Sequence, residues 1–276
     1  MSTLQVPEAS LYHEKTGNGH LLLCISGADG SCEVWRGLAE SLKDRFTVVM
    51  WDRRGFSRSP LTDAQDYEHR LETDADDAAR LIEEYSPNEP ATVIGNSSGA
   101  IIALKLLVRH PDRIRTLLPY EPPASRVLPD FNDIWTTHED VYATYRRAGP
   151  FPALEKFAEL TKTDQSMVKA FVDFQKPYLF SNLQYWFERE FMTYPQASID
   201  IEKDLRPLQE KLVFVNGELS SKEPYQYRAN VAMAERLGLE LQHFPGEHMG
   251  HATHSKAFGE KLVEVLRAKS EFYAEF

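Results

Sequence analysis

The sequence predicts an α/β protein: a mostly parallel sheet flanked by helices, with one inserted helical segment. Short β-branched or apolar runs alternate with longer helical patterns, which is typical of a parallel sheet with helices on its faces. A chain of 276 residues, 42% hydrophobic and 26% charged, is long enough to bury a large core. Residues 122–210 break the alternation, so we expect them to form a separate helical unit.

The strands are predicted from short apolar runs that end at turn residues. Six runs are expected to form the parallel sheet: His20–Ser26, Phe46–Trp51, Ala91–Asn96, Arg115–Tyr120, Lys211–Asn216 and Glu240–Phe244. Near the N-terminus, Ser10–Lys15 is expected to be an antiparallel edge strand, which a Gly-Asn-Gly turn connects to the first of these runs.

Helices are predicted where apolar residues recur on one helical face. Arg70–Tyr85 shows this periodicity. Gly99–His110 is nearly all apolar and stops at Pro111, so it should be a buried helix. Tyr225–Leu237 and His254–Ser270 complete the set.

Residues 122–210 contain no convincing strand, and prolines lie near both of their ends. They hold 15 of the chain's 31 aromatic residues. Such a concentration predicts a helical cap whose inner face lines an apolar pocket, with 1–121 and 211–276 as the core. Aromatic pairs at helical spacing more often belong to a core; two such pairs are Tyr142 with Tyr145 and Phe171 with Phe174.

Composition narrows the classes of partner. A net charge of −11 argues against nucleic-acid binding, which needs a concentrated basic surface. No apolar stretch approaches the 20 or so residues of a membrane span, and no secretory signal is visible. Cys24 and Cys32 are interpreted as reduced thiols, so a cytoplasmic protein is expected. We expect a monomer or homodimer that acts on a small molecule.

One basic cluster needs an explanation. Arg53, Arg54 and Arg58 lie close together, and Asp52 and Asp63 flank them. We interpret this stretch as a loop held by local ion pairs.

The strongest chemical signal is the G-x-S-x-G sequence Gly95-Asn96-Ser97-Ser98-Gly99. A predicted strand runs into it and a predicted apolar helix leaves it. A serine at such a strand-to-helix turn holds its hydroxyl above the sheet on a strained backbone. The start of the helix also favours negative charge that develops beside Ser97.

With this motif between a strand and a helix, the chain resembles the α/β-hydrolase family over nearly its whole length outside the cap. Two further segments are similar to family motifs in the expected order. Leu21 to Gly30 resembles the first core strand and its oxyanion loop, and Asp52 to Ser59 resembles the D-x-R-G-x-G-x-S loop. Ser26 departs from the pattern, because many members have a histidine before the loop glycine.

The resemblance places the catalytic histidine in a late glycine-containing loop, here Phe244 to His251, and assigns it to His248. A serine needs such a base to become a good nucleophile. His251 and His254 are nearby competitors. The spacing of three between these histidines could suggest a metal site, but no cysteine or carboxylate pattern accompanies it, so no metal is expected.

The acid that orients the imidazole is less obvious. Most members have an aspartate three residues after the glycine that ends the preceding strand, but that position holds Ser220. Some members, among them haloalkane dehalogenases and fungal zearalenone lactonases, have a glutamate after an earlier strand, 24 residues beyond the nucleophile in the lactonases. Glu121 follows Ser97 by that interval and is the predicted acid, with Glu218 in reserve.

The family's oxyanion hole implies two backbone amides. One would come from Ser98 and the other from Ala28, with Gly27 in reserve. Asp29 would oppose the oxyanion's charge unless its side chain turns away or binds a substrate hydroxyl. In the cap, Trp186 is the expected substrate contact.

These residues together predict a serine hydrolase that cleaves an ester or lactone of a small, largely apolar molecule without a cofactor. Two other reactions on the same triad stay open, carbon–carbon hydrolysis and cofactor-free perhydrolysis. A receptor-like binding protein is a third possibility, which an intact triad disfavours.

Overall fold

The computed structural model describes residues 2–162 and 176–276. Their strands form one sheet in the order β1-β2-β4-β3-β5-β6-β7-β8. β1 pairs antiparallel with β2, and β2 pairs antiparallel with β4. The remaining pairs are parallel. The strands are β1 Ser2–Val6, β2 Ala9–Thr16, β3 His20–Ile25, β4 Phe46–Trp51, β5 Ala91–Asn96, β6 Ile114–Tyr120, β7 Val215–Gly217 and β8 Gln242–Phe244.

The described helices lie between these strands and after the last one. They are α1 Arg36–Leu42, α2 Arg70–Tyr85, α3 Ser98–Arg109, α4 Phe131–Ala148, α5 Pro150–Leu160, α6 Leu179–Arg189, α7 Tyr225–Leu237, α8 Gly250–Thr253 and α9 Ser255–Lys269. Short 3₁₀ turns join several of them, and Ile201–Leu205 forms one π-helical turn.

The sheet is buried on both faces, as the apolar runs predict. Every residue of β3 is buried, and alternate side chains enter different clusters. Leu23 packs in the core that α2, α3 and α7 cover, whereas Leu22 packs in the core that α1 and α9 cover. This confirms the predicted α/β architecture.

Several elements differ from the sequence-based expectations. Ser10–Lys15 is not the edge strand, because β1 pairs on its outer side. β1 was missed because its side chains are mostly exposed and give no clear apolar alternation. Lys211–Asn216 contributes only its end to β7, since Arg206–Lys211 is a 3₁₀ turn.

The arginine cluster is also not held by local ion pairs alone. Arg58 does pair with the neighbouring Asp52, at 2.6 Å between Nε and Oδ2. Arg53 and Arg54 are instead buried, and their carboxylate partners lie on distant segments. The chain distance of these partners explains why local sequence could not indicate them.

Between β6 and β7, the described residues form helices and no strand. Several of their aromatic side chains pack into a cluster that also contacts Ala28 and Phe56 of the sheet's loops. Phe171 and Phe174 lie outside the described residues. No helix in the described ranges is both long and apolar enough to cross a membrane.

Candidate active site

Ser97 lies at a sharp turn between β5 and α3. Its backbone has φ 54° and ψ −123°, a conformation that costs a non-glycine residue free energy. Its amide donates to the carbonyl of Tyr120 at 2.9 Å, which fastens the turn to the neighbouring strand. The backbone therefore has the geometry of a nucleophile elbow.

The glycines of the motif are required by close backbone approaches. A Cβ on Gly95 would lie 2.3 Å from the carbonyl oxygen of Gly99. A Cβ on Gly99 would lie 2.3 Å from the carbonyl oxygen of Ile25. Side chains at these positions would separate α3 from the sheet and displace Ser97.

His248 and Glu121 are in direct contact. The Oε2 atom of Glu121 lies 2.6 Å from Nδ1 of His248. Its other oxygen, Oε1, accepts a 2.9 Å bond from the amide of Gly217. Glu121 is 1% exposed and is therefore held on both oxygens inside the protein. This contact leaves Nε2 as the histidine nitrogen that can take up a proton.

The ends of two strands hold the histidine loop in place. Asn96 Nδ2 donates to the carbonyl of His248 at 2.9 Å, and the hydroxyl of Tyr120 donates to the carbonyl of Glu247. In the described part of the chain, no hydrogen bond joins the Ser97 hydroxyl to the His248 ring. Catalytic hydrogen bonds are often long before substrate binds.

The alternative residues lie elsewhere. Glu218 is exposed, and its amide donates to the carbonyl of Phe244. His251 is buried and stacked on Trp35, with ring centroids 4.0 Å apart, and burial lowers the pKa of His251 to about 3. His254 is exposed, so these histidines do not converge. No cluster of metal-binding side chains occurs among the described residues.

The loop after β3 lies against the nucleophile. A Cβ on Gly27 would lie 3.1 Å from Cβ of Ser97. The carbonyl of Gly27 accepts from the amide of Gly30 at 3.0 Å and from Arg53 Nη2 at 2.7 Å. Ala28 follows in this tight turn, and Ser98 begins α3 on the other side of the nucleophile.

Asp29 occupies a low-dielectric position in the same turn. Its Oδ1 atom is buried and has no hydrogen-bond partner. Burial raises the pKa of Asp29 to about 7, against the opposing charges of Lys176 and Arg53. Near neutral pH the carboxyl group is therefore partly protonated, which reduces its repulsion of a nearby oxyanion.

Trp186 reaches the nucleophile turn from α6. It is 4% exposed, and its Nε1 lies 3.4 Å from Oγ of Ser98. Phe157 and Phe191 pack on it edge to face, with ring centroids 5.4 and 5.1 Å away. Its neighbour Tyr185 faces Phe56 instead, so adjacent aromatics of α6 have different surroundings.

Sequence reasoning missed a buried ionic link between α6 and the loops beside Ser97. Glu190, which caps α6, accepts from Arg53 through both oxygens, at 2.6 and 2.9 Å. Burial raises the pKa of Glu190, and the charges of Arg53 and Arg70 oppose this rise. Arg53 belongs to the D-x-R-G segment, but nothing in the sequence marks Glu190 as its partner.

The comparisons with known proteins identify the family of this chain. The sequence profile described as "alpha/beta hydrolase fold" matches residues 20–191. The chain belongs to the α/β-hydrolase family. Within that family it is 32% identical over 273 residues to the uncharacterized hydrolase YraK of Bacillus subtilis, covering 98% of this chain and 97% of that protein. It is thus a hydrolase of the α/β fold.

Solved structures of this family have the same fold. A thermophilic esterase from Thermogutta terrifontis superposes with a TM-score of 0.75 at 20% identity, covering 97% of both chains. An enol-lactonase from Burkholderia xenovorans LB400 superposes with a TM-score of 0.70 at 18% identity, covering 96% of this chain and 99% of that one. At these identities the similarity establishes the architecture alone.

Proposed function

We propose that this α/β-hydrolase cleaves a carboxylic ester or lactone of a small, largely apolar molecule through a triad of Ser97, His248 and Glu121. The observation that supports this triad most strongly is the 2.6 Å contact between Glu121 and His248. It occurs in a loop whose backbone is fastened to the strand before Ser97.

The chemistry follows from these positions. Ser97 Oγ attacks the substrate carbonyl while Nε2 of His248 takes its proton, and Glu121 stabilises the imidazolium that forms. The amides of Ala28 and Ser98 donate to the oxyanion of the tetrahedral intermediate. His248 then protonates the leaving oxygen, and water hydrolyses the acyl-enzyme by the reverse sequence of proton transfers. These steps require no metal or cofactor.

The nature of the substrate is inferred from the aromatic side chains above the nucleophile. Trp186 and its aromatic neighbours pack against Ala28, so the surface facing Ser97 is largely apolar. We take residues 122–210 as the cap that supplies this surface, with Trp186 and Asp29 contacting substrate. The esterase and enol-lactonase of the same fold are consistent with an acyl substrate.

The test is covalent trapping of the nucleophile. An organophosphonate or sulfonyl fluoride should label one site per chain, and peptide mapping should place the adduct on Ser97. With p-nitrophenyl acetate, the wild-type protein should release about one equivalent of nitrophenol in a burst, followed by steady turnover. Products from a panel of esters and lactones, identified by mass, would then define the substrate class.

Ser97→Ala is the matched control, because it removes only the side-chain hydroxyl and keeps the Cβ atom. It should fold normally and lose both the label and the burst. An adduct on another residue, or a wild-type protein without any burst, would overturn the proposed triad.

A further inference from the structure

One stripe of α6 contacts both the loop after β3 and the side chain of Ser98, the residue that follows the nucleophile. Asn182, Trp186 and Glu190 are spaced by four residues, so they lie on one face of the helix and its C-terminal cap. Asn182 Nδ2 donates to the carbonyl of Asp29 at 2.8 Å. Trp186 Nε1 donates to Oγ of Ser98 at 3.4 Å. Glu190 reaches the same region through Arg53.

Arg53 is the link between Glu190 and the oxyanion loop. Its guanidinium is 1% exposed, and the side chain of Glu190 is fully buried. One edge of the guanidinium group donates to both carboxylate oxygens, while Nη2 also donates to the carbonyl of Gly27 at 2.7 Å. A bidentate pair of this kind fixes the guanidinium plane and so directs the remaining hydrogen bond.

The carbonyl of Gly27 and the amide of Ala28 belong to one peptide group. That group is planar and trans, so its C=O and N–H point in opposite directions. Because Arg53 and Gly30 hold the carbonyl, the N–H of Ala28 is fixed to point away from them. A cationic donor on the carbonyl also polarises the peptide and makes its N–H a better donor.

We propose that this stripe of α6 is an oxyanion clamp, in which Glu190 orients Arg53 and Arg53 orients the Ala28 amide toward the developing oxyanion. Glu190 and Arg53 are positioning residues, since they act through the peptide and do not touch substrate. Asn182 holds the carbonyl of Asp29 in the same loop, and Trp186 contacts Ser98, which supplies the second amide. The inference rests on the proposed function, because it assumes that Ser97 forms an oxyanion there.

The experiment compares Glu190→Gln with Glu188→Gln. Both changes remove one carboxylate from the same turn of α6, but Glu188 is exposed and bonds to the hydroxyl of Tyr145. The readouts are kcat and KM for p-nitrophenyl acetate and the inhibition constant of 1,1,1-trifluoro-2-butanone. That ketone forms a tetrahedral adduct with serine and places an oxyanion in the same hole.

For Glu190→Gln we expect kcat to fall by about 10- to 100-fold, less than the roughly 10²–10³ of deleting an oxyanion donor. The inhibition constant of the trifluoroketone should rise by a similar factor, while KM should change less than about twofold. Glu188→Gln should match the wild type in all three. If Glu190 had only a structural role, its substitution would not reduce the affinity for the tetrahedral inhibitor while leaving KM nearly unchanged.

Glu190→Asp gives a second test if the glutamine variant does not fold, because it keeps the charge and shortens the reach. It should lose kcat and inhibitor affinity together, by a smaller factor. The proposal of an oxyanion clamp would be overturned by an unchanged kcat. It would also be overturned if KM rose while the affinity for the inhibitor stayed the same. Failure of the proposed function itself is distinguishable, since the wild-type protein would then show no burst and no label on Ser97.

Discussion

At the scale of single residues, two neighbouring strands end in strained positions. Ser97 follows β5 with φ 54°, and Glu121 follows β6 with φ 45°. A non-glycine residue in this region costs about 1–3 kcal/mol. Both conformations turn a polar side chain away from the strand direction, and both side chains belong to the proposed triad. The strain is thus placed where it positions the reacting groups.

The two candidate acids should respond very differently to amide substitution. Glu121→Gln removes the charge that stabilises the imidazolium and the acceptor that fixes the ring's tautomer. The corresponding change in a serine protease lowers turnover by about 10⁴, so we expect a loss of several powers of ten in kcat with little change in KM. Steady-state kinetics on p-nitrophenyl acetate measures this.

Glu218→Gln is the control, because Glu218 is exposed and directly follows β7. It should cost less than about tenfold. If the two variants ranked the other way, the acid would be misassigned while the serine and histidine assignments would stand.

These residues show how far sequence goes at this scale. The elbow is visible locally, since strand, serine, glycines and helix are contiguous from Ala91 to Arg109. Glu121 was reached only through a family spacing. Glu190 was out of reach, because its role depends on a pairing with Arg53 across 137 positions that no local pattern records.

At the scale of elements, the predictions held where burial gives a clear pattern. β3, β4 and β5 are continuous apolar runs, and their bounds match within a residue. α1 was missed, because seven residues are too few to show a helical period. β7 is short because the chain reaches the sheet from a 3₁₀ turn, and it pairs with β6 only at Val215.

The packing of α3 on the sheet should be intolerant of a single methyl group. In Gly99→Ala the new Cβ would meet the carbonyl oxygens of Ile25 and Ser26 at 2.3 and 2.6 Å. Backbone atoms cannot rotate away, so we expect a loss of stability of about 1–3 kcal/mol. Urea unfolding measures this, and labelling of Ser97 should slow because the turn shifts.

Gly259→Ala is the matched change in α9. Its Cβ would meet the hydroxyl of Ser41, which can rotate, and alanine also favours the helix by about 0.5–1 kcal/mol. It should be neutral or slightly stabilising. Equal losses in both variants would show that contact with Ile25 is not what requires glycine at position 99.

At the scale of the whole molecule, imidazoles are buried in several separate regions, and burial lowers the pKa of each. His20 begins β3 and contacts aromatic side chains near the C-terminus. His138 lies in α4, and His251 stacks on Trp35 just after the loop that carries His248. Burial lowers the pKa of His20 and of His138 to about 4, and that of His251 to about 3. Each must stay neutral for its surroundings to stay packed.

These groups make stability depend on pH with a definite sign. An unfolded histidine has a pKa of about 6.5. At these histidines the unfolded chain therefore binds more protons than the folded one between pH 6.5 and pH 4, and their contribution to the free energy of unfolding falls as the pH falls. Each histidine can contribute at most about 1.4 kcal/mol per pH unit to this slope.

His138→Phe should remove one of these contributions. The ring of His138 packs near Trp135, Phe191 and Tyr225, and neither of its nitrogens has a hydrogen-bond partner, so phenylalanine loses no bond there. Urea unfolding from pH 4.5 to pH 7 should show a flatter slope and higher stability at the acid end. His254→Gln, an exposed change, should keep the wild-type slope. An unchanged slope in His138→Phe would mean that the pKa of this imidazole is not lowered in the folded protein, and that acid sensitivity arises at other groups.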